Sequence, residues 1–141
     1  WVHAVDSVTR GKCTSKNYLR FEIDGLMYYL QKSPDGTLPY VLDGDVLELG
    51  NTKITFMHTP GHTPGSVCLL CDNALFSGDT LFAGSCGRTD FPGGSWSQML
   101  DSLLRLANLN GDYRVLPGHM EDSTLERERK HNPYMKEATK R

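Results

Sequence analysis

The chain lacks a long apolar run, an excess of one charge, an internal repeat and a low-complexity tract. No stretch approaches the ~20 apolar residues that cross a bilayer, and no signal-peptide pattern is visible. The 15 basic and 17 acidic residues leave a formal charge of -2, which gives no reason to expect a nucleic-acid or membrane partner. With 141 residues of ordinary globular composition, the chain predicts one domain, residues 1–141, with one hydrophobic core.

Cysteine is also scarce, with Cys13, Cys68, Cys71 and Cys86 in the whole chain. A chain this long and this rich in core residues does not need a disulfide framework. Cys68 and Cys71 have the spacing of a zinc knuckle or a redox pair, but they lie in a predicted strand. Residues three apart on a strand point to opposite faces. We therefore expect two buried small hydrophobes and a reducing, cytoplasmic location.

Apolar runs and turn signals predict three hairpins and a long loop. The glycine-rich segment 82–94 reads as structureless and too long to be only a connector, so we expect it to belong to a site. The hairpins are typical of sheets that helices cover, an α+β architecture. They comprise residues 17–23 with 26–31 about Asp24-Gly25, 46–49 with 53–58 about Gly50-Asn51, and two strands between 66 and 82 about Asp72-Asn73, with a further turn at 33–36.

Two helices are predicted near the end of the chain. Ser95 and Gln98 form a capping-box pattern, and an apolar face follows at helical spacing. A second capping pattern begins at Ser123, and this helix should end near residues 131–132 because Pro133 disfavours helical geometry in the residue before it. The apolar face of the first helix consists of Trp96, Met99, Leu100, Leu103, Leu104 and Ala107.

Three short apolar runs each end in a glycine turn that is followed by a residue able to bind metal. The runs at 54–57, 74–77 and 113–116 lead to His62, Asp79 and His119. Each turn alone is also consistent with an ordinary surface turn. Proline and glycine stiffen the first turn, so a ligand there would be preorganised. Two histidines and one aspartate at equivalent strand ends predict the ligands of a hydrolytic metal ion.

The remaining candidate residues have structural explanations that compete with functional ones. His58 alternates with apolar residues on its strand and is predicted to be a partly buried structural histidine. His3 and His131 lie in an unreadable terminus and at a helix end, and both are interpreted as structural. Arg88 could bind an anionic substrate, or it could form an internal contact with Asp90 that folds the loop.

These motifs together resemble the metallo-β-lactamase-fold hydrolases, and most closely the glyoxalase II-like branch. The likeness covers roughly residues 43–134 and is carried by segments 59–66, 76–80, 84–94, 116–119 and 123–133. It implies an αββα sandwich that binds one or two zinc, iron or manganese ions at one sheet edge. By resemblance, His62 would complete a histidine trio around the first metal, Asp79 would bridge both metals and His119 would bind the second. A small-molecule thioester or other acyl substrate is implied.

One motif of that family is absent. The His-x-His-x-Asp-His signature, which supplies the other ligands and the water-orienting aspartate, occurs nowhere in this chain. We therefore expect the C-terminal half to two-thirds of such a domain, with partial or no metal occupancy and no catalytic residue identifiable. A chain that forms only part of the αββα sandwich would expose an apolar face of its sheet, which predicts self-association.

Three functions remain open at this point. The first is a metal-dependent hydrolase similar to hydroxyacylglutathione hydrolases, inactive as this chain alone. The second is a non-haem iron oxygenase that acts on a glutathione persulfide, because relatives of that kind share the Gly-Arg-Thr-Asp-Phe loop at 87–91 and bind iron with two histidines and one carboxylate. The third is a non-catalytic remnant or a partner-binding half.

Overall fold

The computed structural model describes residues 18–23, 26–31 and 43–141. Strands β1 (Tyr18–Ile23) and β2 (Leu26–Gln31) pair antiparallel, which confirms the first predicted hairpin. The predicted turn at 33–36, His3 and Cys13 lie outside the described residues. None of the helices in the described part of the chain combines the length and apolarity that crossing a membrane would require.

The main body is a mixed six-stranded sheet in the order β10-β9-β6-β5-β4-β3. The hairpin about Gly50-Asn51 and the strand pair about Asp72-Asn73 are both confirmed. Asp72 has a positive φ of 49°, a conformation that aspartate tolerates better than most residues. The strands are β3 (Val46–Leu49), β4 (Thr52–His58), β5 (Val67–Cys71), β6 (Ala74–Gly78), β9 (Arg114–Pro117) and β10 (Ser123–Thr124).

Strand direction brings the three predicted ligands to one edge of this sheet. β5 is antiparallel to both β4 and β6, so β4 and β6 run the same way, and β9 pairs parallel to β6. The C-terminal ends of β4, β6 and β9 therefore share an edge. Each of these ends leads directly into one of the three turns singled out in the sequence.

The glycine-rich segment is not wholly structureless, and in this respect the sequence prediction was wrong. A short antiparallel hairpin forms from β7 (Leu81–Phe82) and β8 (Ser85–Cys86). Gly84 occupies its two-residue turn with a φ of +68°, which glycine adopts at low cost. Strands of two residues give too little alternation to be recognised in a sequence.

The first helix, α1 (Trp96–Ala107), begins at its predicted cap. The Ser95 hydroxyl accepts a hydrogen bond from the Gln98 amide at 3.4 Å. The Ser95 amide donates to Gly61 O at 2.8 Å, so the reciprocal half of the capping box is replaced by a tertiary contact. The buried face is rotated from the predicted one: Trp96 is 38% exposed, and the buried residues are Met99, Leu100, Ser102, Leu103 and Leu106.

The end of the chain contains two helices where one was predicted. α2 (Leu125–His131) ends as expected, but its cap is Thr124, because the Ser123 hydroxyl bonds to Glu128. The predicted cap at Ser123 was wrong by one residue. α3 (Pro133–Ala138) begins directly afterwards, with Asn132 as its N-cap. Proline at the first position of a helix loses no hydrogen bond, so Pro133 both ends α2 and begins α3.

The three helices of the described residues pack on one face of the sheet. Cys68 faces this helix-covered core, whereas Cys71 packs on the opposite face with Ile54. This confirms that the two cysteines diverge and are buried. Partly buried Leu47, Phe56, Leu69 and Phe76 complete the opposite face, and self-association through it stays a prediction. The helix-covered core consists of Met57, Cys68, Leu75, Leu81, Met99, Leu100, Leu103, Leu106, Val115, Leu125, Met135 and Ala138.

Two thiols, the buried Cys68 and the partly buried Cys86, should be inert to alkylation. Burial raises the pKa of Cys68 to about 11, and burial together with the Glu137 carboxylate raises that of Cys86 to about 11. Because the thiolate is the reactive form, both groups stay protonated at pH 8 and should react with iodoacetamide at least about 100-fold more slowly than in the urea-unfolded chain. Peptide mapping by mass spectrometry measures this. Labelling of folded Cys68 at the unfolded rate would contradict its burial.

Candidate metal centre

The turn that carries His62 is fixed by backbone bonds and close packing. Thr59 N donates to Ser66 O at 2.9 Å, which closes the loop at its base. Gly61 has a φ of +144°, and a Cβ there would lie 2.5 Å from the Met99 Cα. Only glycine fits this contact with α1. The turn is therefore held against the helix, and the His62 side chain is only 14% exposed.

The turns that carry Asp79 and His119 are bonded to each other. Gly118 N donates to Gly78 O at 2.9 Å, and Gly78 has a φ of +52°. A Cβ on Gly118 would lie 3.2 Å from Asp79 Oδ1. The Asp79 side chain is 8% exposed, whereas that of His119 is 71% exposed. The carboxylate of Asp79 is therefore buried, whereas the imidazole of His119 is accessible.

The structure brings His62 and His119 to the carboxylate of Asp79, so the three predicted residues lie together. His62 Nε2 lies 3.5 Å from Asp79 Oδ2, and His119 Nε2 lies 3.3 Å from Asp79 Oδ1. The two imidazoles thus approach different oxygens of Asp79. A carboxylate that presents one oxygen to each of two neighbouring groups is arranged to bridge two cations.

The tautomer of His62 is fixed by a second contact. Its Nδ1 lies 2.7 Å from the backbone oxygen of Arg88, and because a carbonyl oxygen only accepts, Nδ1 must carry the hydrogen. In the neutral ring, the Nε2 lone pair then faces the oxygen of Asp79. A cation between them, or a proton on Nε2, stabilises that arrangement. An imidazole that donates one N–H to a carbonyl while the other nitrogen faces a metal is the usual orientation of a histidine ligand.

The donors are arranged as two pairs, His62 with Asp79 and Asp79 with His119, rather than as one group of three around a single ion. Within residues 43–141 and the two N-terminal strands, no group of three or more His, Cys, Asp or Glu side chains is arranged to hold a single ion. His62 and His119 each approach a different oxygen of Asp79. Imidazole nitrogen and carboxylate oxygen suit zinc, iron or manganese. Each ion would have two ligands from the described part of the chain, which predicts loose binding.

Arg88 shows one of its two predicted contacts. Its Nε and Nη2 donate to the two oxygens of Asp90, both at 2.7 Å, and its guanidinium stacks 3.9 Å from the centre of the Phe91 ring. Hydrogen bonds from Arg88 lower the pKa of Asp90 to about 2. The pair is thus charged at all physiological pH values. Binding of a substrate anion by Arg88 stays a prediction.

The other two histidines of the described residues are His58 and His131. His58 donates from Nε2 to Pro64 O at 2.8 Å and is exposed. The predicted partial burial was wrong, because His58 is the last residue of β4, where the chain leaves the sheet. This bond links the His58 ring to the His62 turn, and a purely structural role for His58 stays a prediction. His131 is the exposed last residue of α2.

Two residues near the site were not singled out in the sequence. A Cβ on Gly87 would lie 1.8 Å from Asp79 O and 3.3 Å from the His62 Cβ, so the chain passes between the two ligands only because Gly87 has no side chain. The ring of Phe82 contacts that of His119 edge-on, with centroids 6.1 Å apart. The glycine in the loop was a visible signal, whereas the ring contact depends on tertiary structure.

A family model described as the Metallo-beta-lactamase superfamily matches residues 2–119 of the chain. A relative from Haemophilus influenzae, the hydroxyacylglutathione hydrolase GloC, is 35% identical over 96 residues, which cover 66% of this chain and 45% of the relative. The chain thus spans about half the length of the curated relatives that it matches.

Solved structures show the same partial correspondence. The crystal structure of ETHE1 from Myxococcus xanthus matches with a TM-score of 0.65 and 36% identity, covering 69% of this chain and 45% of that one. A structure described as TTHA1623 in a di-iron-bound form matches with a TM-score of 0.61 and 37% identity, over 69% and 48% of the two chains. The expected fold, part of an α+β sandwich with a mixed sheet and helices, is confirmed.

Proposed function

The chain belongs to the metallo-beta-lactamase superfamily, and we propose that it supplies one side of the metal centre of a hydrolase acting on thioester or related acyl substrates. The observation that carries this proposal is the convergence of two imidazole nitrogens on the two oxygens of Asp79. The likeness to a hydroxyacylglutathione hydrolase supports the substrate class.

The roles of the residues follow from the contacts. His62 with Asp79 would hold one ion, and Asp79 with His119 would hold a second, with zinc preferred and iron or manganese as alternatives. When bound, such ions supply Lewis-acid activation of water and of a substrate carbonyl. The Arg88 carbonyl keeps the His62 ring in the tautomer that presents Nε2. Burial of Asp79 strengthens its attraction for cations, because fewer waters compete for the charge.

The rim of the site could bind an anionic or apolar part of a substrate. Phe91 is 49% exposed, and its ring lies edge-on to His62 with centroids 6.4 Å apart. The Arg88 guanidinium stacks over the face of that ring. A substrate that bridges metal and rim would therefore meet an aromatic surface next to a guanidinium. This suits a thioester whose thiol part carries a carboxylate.

The iron oxygenase remains a second candidate. It is favoured by a donor set of two histidines and one carboxylate and by the iron in the TTHA1623 structure. It would require the three donors to share one ion, whereas His62 and His119 approach different oxygens of Asp79. The geometry therefore favours two ions and hydrolysis.

The test is hydrolysis of a glutathione thioester by the full-length gene product after loading with zinc, iron or manganese. We expect metal-dependent release of free thiol, and loss of that release in Asp79→Asn. Oxygen uptake with iron and a glutathione persulfide, without thioester hydrolysis, would replace this function by the oxygenase. Absence of metal-dependent activity in both assays would leave only the partner-binding function.

The 141-residue chain alone should behave differently. Two ligands per ion predict weak binding, so dialysis against a trace-metal buffer should leave less than one metal per chain, and thioester turnover should be near zero. Elemental analysis measures the metal content. Stoichiometric, tightly held metal after dialysis would contradict the assignment of only two ligands to each ion.

A further inference from the structure

A buried carboxylate away from the metal centre joins three parts of the fold. Glu128 is 1% exposed. Its Oε1 accepts hydrogen bonds from Ser123 Oγ at 2.5 Å and Arg127 Nη1 at 3.1 Å. Its Oε2 accepts from Gly84 N at 2.8 Å and Asn132 Nδ2 at 2.9 Å. Glu128 thus connects β10, the turn of the β7–β8 hairpin and the junction between α2 and α3.

Asn132 binds the same hairpin from the helix junction. Its side-chain nitrogen lies 2.9 Å from Ser85 O and 3.3 Å from Phe82 O, so it contacts both strands beside the Gly84 turn. Its side-chain oxygen accepts from the amides of Tyr134 and Met135, which caps α3. Asn132 is fully buried. Through Asn132, the β7–β8 hairpin is therefore hydrogen-bonded to the capped N-terminus of α3.

The hairpin and the residues that follow it contact every candidate metal ligand. β7 begins two residues after Asp79, so the hairpin shares its backbone with that ligand. The contacts are those of Phe82 with His119, of Gly87 with Asp79 O, and of Arg88 O with His62 Nδ1.

We propose that Glu128 and Asn132 are positioning residues that hold the β7–β8 hairpin so that Arg88 O and the Phe82 ring orient His62 and His119 on Asp79. Burying an ionised carboxylate is costly unless every lone pair is bonded, and an apolar residue would fill the same space without that cost. What the carboxylate adds is a fixed geometry for the Gly84 turn. This inference rests on the proposed metal centre, toward which the hairpin is directed.

The test compares Glu128→Leu with Glu128→Gln. Leucine fills the space but gives Gly84 N and Asn132 no acceptor. Glutamine can turn its oxygen toward those two donors and its amide toward the Ser123 hydroxyl, which can accept. Glu126→Leu is the matched control, because Glu126 is exposed on the same helix and pairs only with Lys130 among the ion pairs of the described chain.

The first readout is zinc affinity, measured by competition with a chromophoric chelator. We expect Glu128→Leu to bind zinc about 10–100-fold more weakly, as is typical when an outer contact of a metal ligand is lost. Glu128→Gln and Glu126→Leu should stay within about threefold of the unaltered chain, well below that range. Wild-type affinity in a folded Glu128→Leu protein would overturn the proposal.

The second readout needs no metal. The ¹⁵N spectrum of the imidazoles should show a hydrogen-bonded proton on Nδ1 of His62 in the metal-free chain and in Glu128→Gln, and loss of that hydrogen-bonded proton in Glu128→Leu. Amide exchange at Gly84 should increase in parallel. If the full-length gene product showed no metal-dependent thioester hydrolysis, the proposed function would fail while this spectrum still decided the positioning role. An unchanged His62 spectrum in Glu128→Leu would contradict the positioning role.

A second variant covers the case in which Glu128→Leu does not fold. Asn132→Ser keeps a hydroxyl that can cap α3 but is too short to reach Phe82 O and Ser85 O. We expect it to fold, to bind zinc about 10-fold more weakly and to show the same loss of the hydrogen-bonded proton on Nδ1 of His62. A folded Asn132→Ser protein with unchanged zinc affinity and an unchanged His62 spectrum would overturn the proposal.

Discussion

Replacing Asp79 with asparagine is expected to lower the affinity of the chain for zinc more than about 100-fold, since even changes to outer contacts of a ligand cost 10–100-fold. Asparagine has the shape of aspartate but no charge, and its nitrogen cannot coordinate a cation. That nitrogen would also donate to His62 Nε2 or His119 Nε2, which lie 3.5 and 3.3 Å from the present oxygens. One substitution therefore removes the bridging ligand and blocks a second. Calorimetric or chelator-competition titration with zinc measures the loss.

The control for this change is Asp72→Asn. Asp72 lies in the β5–β6 turn, at the other end of β6 from the candidate ligands. Its φ of 49° is one that asparagine also tolerates. Asp72→Asn should thus leave zinc affinity unchanged. Equal losses in both variants would indicate a general effect of charge and not a site at Asp79.

Gly87→Ala is expected to destabilise the chain by about 3 kcal/mol, at the upper end of the usual cost of overpacking. The new Cβ would lie 1.8 Å from Asp79 O and 2.9 Å from Asp79 C, which are both backbone atoms. No side-chain rotation relieves such a contact, so the segment that follows β8 must move away from Asp79. That movement would also withdraw Arg88 O from His62. Urea unfolding measures the stability, and the ¹⁵N spectrum of His62 reports the displaced carbonyl.

Gly50→Ala separates this clash from the general cost of replacing a glycine. Gly50 has a φ of +59°, but nothing lies within 4 Å of a Cβ placed there. Only the strain of the left-handed conformation remains, which costs about 1 kcal/mol. Gly87→Ala should therefore lower the free energy of unfolding by about 2 kcal/mol more than Gly50→Ala does, which is the difference between overpacking and strain alone. Similar losses at the two positions would show that Gly87 does not pass between two ligands as described.

The parts of the fold that could be predicted from sequence are those with local signals. The turns at Gly50-Asn51 and Asp72-Asn73 lie between apolar strands, and both are confirmed. The glycine turns after β4, β6 and β9 were equally visible. Their common edge follows from one parallel and two antiparallel pairings. Residue types at strand ends were thus enough to propose His62, Asp79 and His119.

The parts that could not be predicted depend on contacts between distant segments. Strands of two residues, such as β7 and β8, carry no periodic pattern. Glu128 reads as one member of a charged helix, and only the fold reveals that it bonds to Gly84, 44 residues earlier. Ser123 matched a cap pattern, but its hydroxyl bonds to the Glu128 carboxylate and Thr124 caps the helix. Sequence likewise left two contacts open for Arg88, and the ion pair with Asp90 is the one formed.

Anomalous diffraction at the zinc edge, from crystals of the zinc-loaded protein, tests the metal centre most directly. We expect zinc at about 2.0–2.2 Å from Asp79 and from Nε2 of His62 or His119, with Arg88 O still bonded to His62 Nδ1. Zinc held by His58 or His131 instead, with none in contact with Asp79, would contradict the proposed metal centre.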